Sequence, residues 1–247
     1  MGSIADNLQA VRGRISSAAR AAAREPGAVR LLAVSKTHAP ALIREAYAAG
    51  QHAFGENYVQ EAEEKMAQLA DLPLEWHLIG PLQSNKTRVV AARFDWVQSV
   101  DREKIARRLS EQRPHGMPPL EVLVQVNVSG EASKSGVAPG EAAALARAVA
   151  SLPRLRLRGL MAVPEPTPDA NLQCARFRQL HGIWESLRRE GLALDTLSMG
   201  MSDDMEAAIA EGSTMVRIGT AIFGKRSAGV SSAPLDPPAA PLVKDPA

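Results

Sequence analysis

Short apolar runs and amphipathic segments alternate along the chain. Eight short apolar runs have the length of buried strands, at residues 29–35, 52–54, 75–80, 94–100, 121–128, 155–163, 194–199 and 214–219. Segments of helical length separate them, at 40–49, 57–70, 84–92, 101–112, 139–151, 169–190 and 202–211. Strands that alternate with helices are typical of βαβ units and a parallel sheet. Eight such units predict an α/β fold, a single closed (β/α)8 TIM barrel.

An extra amphipathic helix is predicted before the first strand. Its apolar positions share one face at helical spacing and are Ile4, Leu8, Val11 and Ile15. The stretch is also rich in Ala, Arg and Ser, as a transit peptide can be, but the apolar stripe continues into the domain and favours an ordinary helix. Residues 227–247 contain five prolines and no apolar periodicity. We therefore expect one domain over residues 1–226 and a disordered, proline-rich tail over 227–247.

Several helix boundaries have local signals. Three polar residues stand where an N-cap is wanted, namely Ser84, Asp101 and Ser202. Three glycines stand where a left-handed residue would end a helix, namely Gly50, Gly191 and Gly212.

Composition narrows the classes of function. The formal net charge is +2, with acids and bases interspersed, so neither nucleic acid nor an anionic membrane is an expected partner. No apolar run approaches the roughly 20 residues of a membrane span. Cys174 is the only cysteine, so no intramolecular disulfide is possible and the cytoplasm is the expected compartment. No metal site is predicted.

Lys36 ends the first strand, in "VRLLAVSK". A lysine at a strand end is usually a solvated surface residue. In a TIM barrel, however, the chemistry sits where strands end and loops begin. Partial desolvation there lowers the pKa of an amine, and a neutral amine attacks a carbonyl to form a Schiff base. Lys36 is therefore a candidate for carbonyl chemistry, with an aldehyde cofactor or with a keto substrate.

Two glycine-bearing segments predict a phosphate site. Barrels of this kind bind phosphate in the loops after strands seven and eight, where "SMGMS" (198–202) and "IGTA" (218–221) stand. Against this, Ser202 could simply cap a helix, and Asp203 and Asp204 would weaken the attraction for an anion.

Three other polar residues near strand ends could each be structural or contact a ligand. Arg217 shares a strand face with Gly219 and should point into the barrel, where it needs a ligand atom or a buried partner such as Glu56. Asn57 follows the second strand and either caps a helix or meets a ligand. His77, as a lone histidine, is more often structural than catalytic.

A set of long motifs, in order, resembles a known family. The segments "AVSKTH", "FGENYVQE", "WHLIGPLQSNK", "SKSG", "LSMGMSDDMEAAI" and "VRIGTAIFGKR" resemble the YggS/PROSC family of pyridoxal phosphate homeostasis proteins, and the similarity runs from about residue 4 to residue 226. The resemblance implies a single barrel like the N-terminal domain of alanine racemase (fold type III). It also implies that pyridoxal 5′-phosphate (PLP) is held as a Schiff base on Lys36.

The resemblance also assigns the other cofactor-binding residues. It places the phosphate on Ser202, Gly219 and Thr220, with Arg217 facing the pyridine nitrogen. The loop beside the phosphate would be lined by Ser198, Met199, Gly200 and Met201, and the cofactor would be bordered by Asn57 and His77. The chain departs from several relatives at His38, where they have a second lysine. Lys134 matches, and Lys225 is the one counterpart of their C-terminal lysines, so the role of secondary lysines is left open.

The chemistry of the implied site favours a carrier over an enzyme. A racemase needs a second acid or base on the opposite face of the cofactor, and racemases of this fold take a tyrosine from a second domain. An arginine facing the pyridine nitrogen keeps it unprotonated and makes the ring a poorer electron sink. We expect a monomeric protein that holds PLP and releases it to apo-enzymes, with no catalytic residue of its own. The alternatives are a PLP-dependent racemase or lyase using Tyr58 or His77, and a cofactor-free Schiff-base aldolase acting on a sugar phosphate.

Overall fold

Eight parallel strands close into a barrel, as predicted. The fold was obtained as a computed structural model, which describes residues 2–131 and 135–224. The strands pair in chain order, and the last pairs with the first. They are β1 Arg30–Val34, β2 Ala53–Glu56, β3 Glu75–Leu78, β4 Trp96–Val100, β5 Leu120–Gln125, β6 Leu155–Met161, β7 Thr196–Ser198 and β8 Met215–Ile218.

Helices follow the strands and surround the barrel. They are α1 Ile4–Ala21, α2 Pro40–Ala48, α3 Val59–Gln68, α4 Thr87–Arg93, α5 Glu103–Gln112, α6 Ala142–Ala150, α7 Ala170–Arg189, α8 Met205–Ala210 and α9 Thr220–Phe223. Short 3₁₀ turns at Ser84–Lys86 and Pro139–Glu141 lead into α4 and α6. Within the described ranges, no helix combines the length and apolar character needed to cross a membrane.

The helix α1 lies against the elements that follow β1, β7 and β8. The Asn7 side-chain amide donates to the Ile222 carbonyl of α9 at 2.8 Å, and Arg24 donates to the Ile209 carbonyl of α8 at 2.8 Å. On the other side, Arg12 donates to the Ala49 carbonyl at the end of α2 at 3.0 Å. The predicted apolar stripe of α1 is buried along its length. The helix therefore covers the seam at which the barrel closes.

Strand alternation separates the interior of the barrel from the helix-facing core. Two small apolar clusters lie in the interior. One contains Leu32, Ala53 and Met215, and the other contains Trp96, Leu123 and Met161. The large core lies between the sheet and the helices. Since successive strand residues face opposite sides, Arg217 points inward with Met215, whereas Glu56 of β2 points outward.

The helix boundaries confirm the glycine predictions and overturn the N-cap predictions. Gly50, Gly191 and Gly212 follow helices with φ of 80°, 96° and 100°. The three polar residues do not cap a helix, since Ser84 lies in a 3₁₀ turn, the residue before α5 is Arg102 instead of Asp101, and Ser202 lies in a loop. The loop is longer than predicted because the Asp204 carboxylate accepts from the Met201 amide at 2.6 Å, and α8 begins only at Met205.

Gly159 is required by a bulge in β6. The register between β5 and β6 shifts there, Gly159 has φ of 156°, and a Cβ atom would lie 1.7 Å from the Thr196 carbonyl oxygen. We expect Gly159→Ala to lower the free energy of unfolding by more than about 2 kcal/mol, because the sheet must move to admit a methyl group. Urea unfolding followed by circular dichroism measures this.

Gly182 provides the matched control. It is exposed in α7, and nothing lies within 4 Å of the position of an added Cβ. Gly182→Ala should raise stability by about 0.5–1 kcal/mol, because alanine loses less backbone entropy in a helix. Equal stability of the two variants would contradict the assigned bulge.

Candidate functional site

Lys36 lies at the carboxyl end of the barrel, next to the end of β8. It is half-buried, and it follows β1 at the same strand parity as Leu32 and Val34, which face the interior. A Cβ atom on Gly219 would lie 3.1 Å from the Val34 carbonyl oxygen. The first turn after β8 therefore packs against the strand end that carries Lys36, as expected for a site shared by these two loops.

A buried ionic cluster lies on the helix-facing side of the Lys36 turn. Lys65 of α3 donates to Glu56 Oε1 at 2.7 Å, to Glu61 Oε1 at 2.6 Å and to the Ser35 carbonyl oxygen at 2.7 Å. The Ser35 hydroxyl donates to the same Glu56 oxygen at 2.6 Å. Burial raises the pKa of Glu56, and the charge of Lys65 opposes that shift. The cluster uses all three protons of the Lys65 ammonium group.

Arg217 is buried inside the barrel. Its guanidinium donates to the Ser198 hydroxyl oxygen at 2.7 Å and to the Ala162 carbonyl oxygen at 2.7 Å. Burial lowers the pKa of Arg217 to about 10, and the negative charge of Asp204 acts against that shift. No carboxylate of the described part of the chain forms an ion pair with Arg217. The proposed pairing with Glu56 is wrong, because Glu56 points to the other side of the sheet and binds Lys65.

A chain of hydrogen bonds runs from Arg217 across the interior to the amino end of the barrel. The Ser198 hydroxyl donates to Gln98 Oε1 at 2.7 Å, and the Gln98 amide nitrogen lies 2.9 Å from His77 Nδ1. His77 Nε2 in turn contacts the Glu75 carboxylate. With Gln98 as donor, His77 carries its proton on Nε2. Each residue of the chain then presents its acceptor atom toward Arg217 and its donor atom away from it. This alignment of dipoles stabilises the buried positive charge of Arg217.

His77 and Glu75 form the amino end of that chain. Burial lowers the pKa of His77, so the ring is neutral at physiological pH. Burial acts to raise the pKa of Glu75, but the hydrogen bond with His77 and the charge of Arg30, 2.8 Å away, lower it overall. Both ring nitrogens of His77 already have protein partners. His77 therefore has no nitrogen left for a ligand.

The two predicted phosphate loops meet at the carboxyl end of the barrel but differ in exposure. The Ser198 side chain is buried against Arg217, and the Met199 side chain is buried in the helix-facing core. Gly200 has φ of 97°, and a Cβ there would lie 2.6 Å from the Ala208 methyl group. Met201 and Ser202 are half-buried. At the end of β8, Gly219 is also half-buried, and Thr220 is exposed at the first residue of α9.

Asn57 carries a buried polar atom that lacks a partner. Its Oδ1 atom is shielded from solvent and accepts no hydrogen bond from the described residues. The Asn57 backbone is pressed against Gly80, where a Cβ atom would lie 2.2 Å from the Asn57 carbonyl oxygen. Buried polar atoms almost always have partners, so a lone acceptor at the end of β2 is consistent with a ligand site.

A cavity also lies at the opposite end of the barrel. It measures about 760 Å³ and is lined by charged residues that include Arg30, Glu75, Glu121, Arg158 and Asp195. These charges pair with one another, as in the contact of Arg158 with Asp195 at 2.6 Å. The carboxyl end, where Arg217 lacks a carboxylate partner and the Asn57 Oδ1 atom lacks a donor, is therefore the candidate functional site.

The sequence did not indicate four residues that take part in the buried ionic cluster or in the hydrogen-bond chain. They are Glu61, Lys65, Glu75 and Gln98. Gln98 had a usable signal, because it is the one amide in the apolar strand "FDWVQSV". Glu61 and Lys65 are spaced i, i+4, which is typical of an ion pair on the exposed face of a helix. The spacing therefore did not indicate that the two side chains are largely shielded from solvent. The secondary lysines Lys134 and Lys225 lie outside the described residues.

Comparisons with known proteins connect this chain to one family and one fold. The family described as alanine racemase, N-terminal domain, matches residues 7–227. The pyridoxal phosphate homeostasis protein of Pseudomonas aeruginosa is 63% identical over 229 residues, which cover 93% of this chain and 98% of the relative. The structure of PipY from Synechococcus elongatus with PLP bound is similar at a TM-score of 0.79 and 39% identity, covering 90% of this chain and 100% of PipY. Its structure without PLP gives 0.81 and 41% over the same shares.

Fold and matched family together define the class, a (β/α)8 barrel of the alanine racemase N-terminal type. Within that class, the chain belongs to the family of pyridoxal phosphate homeostasis proteins.

The neutral state of His77 gives a testable pH dependence. Because the folded-state pKa is depressed, the unfolded chain binds the proton more readily once the pH falls below about 6.5, the ordinary value for histidine. Stability is therefore fully present above that pH and is lost as the pH falls toward the folded pKa. We expect the free energy of unfolding of the native protein to decrease between pH 7.5 and 5.5 by up to about 1.4 kcal/mol per pH unit more than that of His77→Asn.

Urea unfolding at half-unit pH intervals measures both slopes. His77→Asn retains the other histidines and all the acids, so the titration of the groups that do not interact with His77 cancels in the comparison. Parallel curves for the two proteins would show that His77 is not held neutral.

Proposed function

We propose that this protein binds PLP at the carboxyl end of the barrel as a Schiff base on Lys36, and that it stores and releases the cofactor. The observation that carries the proposal is the combination, in one barrel, of a lysine at the end of β1 and a buried arginine on β8 without a carboxylate partner. The relatives named for PLP homeostasis and the PipY structure with PLP bound support the choice of ligand.

The residues present fit this cofactor. PLP supplies an aldehyde, which condenses with a neutral amine and loses its oxygen as water. The Lys36 amine would provide the nitrogen, and the loops at Ser198–Ser202 and at Gly219 and Thr220 would hold the phosphate. Gly200 and Gly219 let these loops pack closely against the barrel, because an added Cβ would crowd Ala208 and the Val34 carbonyl, respectively. The Asn57 side chain, whose Oδ1 atom has no partner among the described residues, would border the cofactor.

Arg217 would face the pyridine nitrogen. Its remaining N–H groups are donors only, so they suit an unprotonated ring nitrogen. A positive charge at this point disfavours protonation of the ring and limits its capacity to stabilise a carbanion. The hydrogen bonds to Ser198 and to the Ala162 carbonyl fix the direction of the guanidinium group.

The second base required for racemisation is not provided by the residues considered for it. His77 has both nitrogens engaged and is neutral by burial. Tyr58 is 44% exposed and is the residue before α3. Tyr47 lies on the outer helix α2, where its ring contacts His52. These placements favour reversible binding over amino-acid chemistry.

Release of PLP is the reverse of its capture. Hydrolysis consumes one water, restores the aldehyde and returns the amine to Lys36. We propose that the protein acts as a monomer in the cytoplasm, limiting free PLP and supplying it to apo-enzymes that depend on it.

Absorption spectroscopy tests the assignment of Lys36. We expect the native protein to develop the visible absorption band of a PLP Schiff base on titration with PLP, and Lys36→Ala to lack it, because the nucleophile is gone. Lys104→Ala is the control, since Lys104 is an exposed lysine on α5 and should leave the band unchanged. A band of equal intensity in Lys36→Ala would contradict the proposal.

Incubation with L-amino acids tests the carrier role. We expect the PLP-loaded protein to produce no D-isomer or cleavage product above the rate of free PLP, because neither His77 nor Tyr58 is placed to act as the second base. Chiral chromatography of L-alanine and L-threonine after incubation provides the measurement. Turnover that Lys36→Ala abolishes would replace the carrier role with an enzymatic one.

A further inference from the structure

The backbone on both sides of Lys36 is held by one pair of residues on α3. The Ser35 carbonyl, immediately before Lys36, accepts from Lys65 Nζ at 2.7 Å. The Thr37 amide, immediately after it, donates to Glu61 Oε1 at 2.5 Å. The two side chains are themselves joined at 2.6 Å. A single ion pair thus holds the two peptide groups that flank the proposed nucleophile.

The pair is anchored from the other side by Glu56. The Lys65 side chain is 5% exposed and that of Glu56 is fully buried, and the two are 2.7 Å apart. Lys65 has no proton left for water, since its three acceptors are Ser35, Glu56 and Glu61. An ammonium group with three fixed acceptors in a buried site is a rigid support. Glu61, at 26% exposure, is the member nearest to solvent.

Thr37 indicates that the turn is strained. Its φ is 64°, in the left-handed region, which β-branched residues adopt rarely. Such a conformation costs on the order of 1–3 kcal/mol and persists only where the surroundings impose it. The Thr37 amide reaches the Glu61 carboxylate in this conformation. The hydrogen bond to Glu61 therefore offsets part of the strain next to Lys36.

We propose that Glu61 is a positioning residue for Lys36. Together with Lys65, it fixes the turn from residue 35 to residue 37, so that the amine meets the aldehyde of PLP at bonding distance. Small errors in the placement of a reacting group lower reactivity strongly, and a lysine side chain has many rotamers. This inference rests on the proposed Schiff base on Lys36. It adds a support on the outer side of the sheet, which does not touch the cofactor.

The experiment compares two probes on four proteins. PLP binds with formation of the Schiff base, whereas pyridoxine 5′-phosphate carries an alcohol in place of the aldehyde and reports on the phosphate and ring contacts alone. The proteins are the native chain, Glu61→Ala, Glu61→Gln and the control Glu64→Ala, which changes an exposed residue of the same helix. Thermal unfolding confirms that each is folded at the assay temperature.

We expect Glu61→Ala to lower the apparent affinity for PLP, read from the Schiff-base band, by about tenfold, since a hydrogen bond to a charged acceptor contributes on this order. Its affinity for pyridoxine 5′-phosphate should remain that of the native protein. Glu61→Gln, which keeps an acceptor oxygen for the Thr37 amide, should recover most of the loss. Glu64→Ala should behave as the native protein with both probes.

Two results would overturn the inference while leaving the proposed function standing. Native-like PLP affinity in Glu61→Ala would show that the turn needs no such support. An equal loss of affinity for both probes would show general damage to the site. Absence of the Schiff-base band in the native protein would instead refute the proposed function, and with it the inference.

Discussion

The pairing of β1 with β8 is the interaction on which the rest of the structure depends. It aligns Arg30 to Ala33 with Met215 to Ile218, and so closes the sheet. In an open sheet of the same strand order, β1 and β8 would be opposite edges. Closure brings the end of β1, which carries Lys36, against the turn at Gly219. The helix α1 covers this seam from outside, which gives the added N-terminal element a structural reason.

The two sides of the sheet accommodate buried positive charge in different ways. On the helix-facing side, Lys65 is neutralised by Glu56 and Glu61. Inside the barrel, Arg217 donates only to neutral oxygens, and the negative charge of Asp204 acts on it without forming an ion pair. A buried charge without a partner is costly, so loss of either carboxylate would destabilise the first arrangement, whereas the second leaves guanidinium N–H groups for a ligand. Because side chains alternate along each strand, the Lys65 cluster and Arg217 lie on opposite sides of the sheet.

Periodicity was sufficient to predict the barrel, because eight apolar runs separated by helices have few other solutions. The strand-end rule then placed Lys36 and the segments at 198–202 and 218–221 at one end of the barrel. The sequence did not show which polar residues meet. Arg217 and Glu56 looked like possible partners, although strand parity sends them to opposite sides. Gln98 and Lys65 act across the barrel or through a helix, and such contacts depend on register and helix rotation, which no local pattern specifies.

The central claim is that the amine beside the β1–β8 seam is the group that captures PLP. Reduction of the PLP-loaded protein with borohydride converts the Schiff base to a stable secondary amine, and peptide mass spectrometry then locates the pyridoxyl group. We predict a single modified site at Lys36. Modification confined to another lysine, such as Lys86 or Lys104, with Lys36 unmodified, would contradict the account.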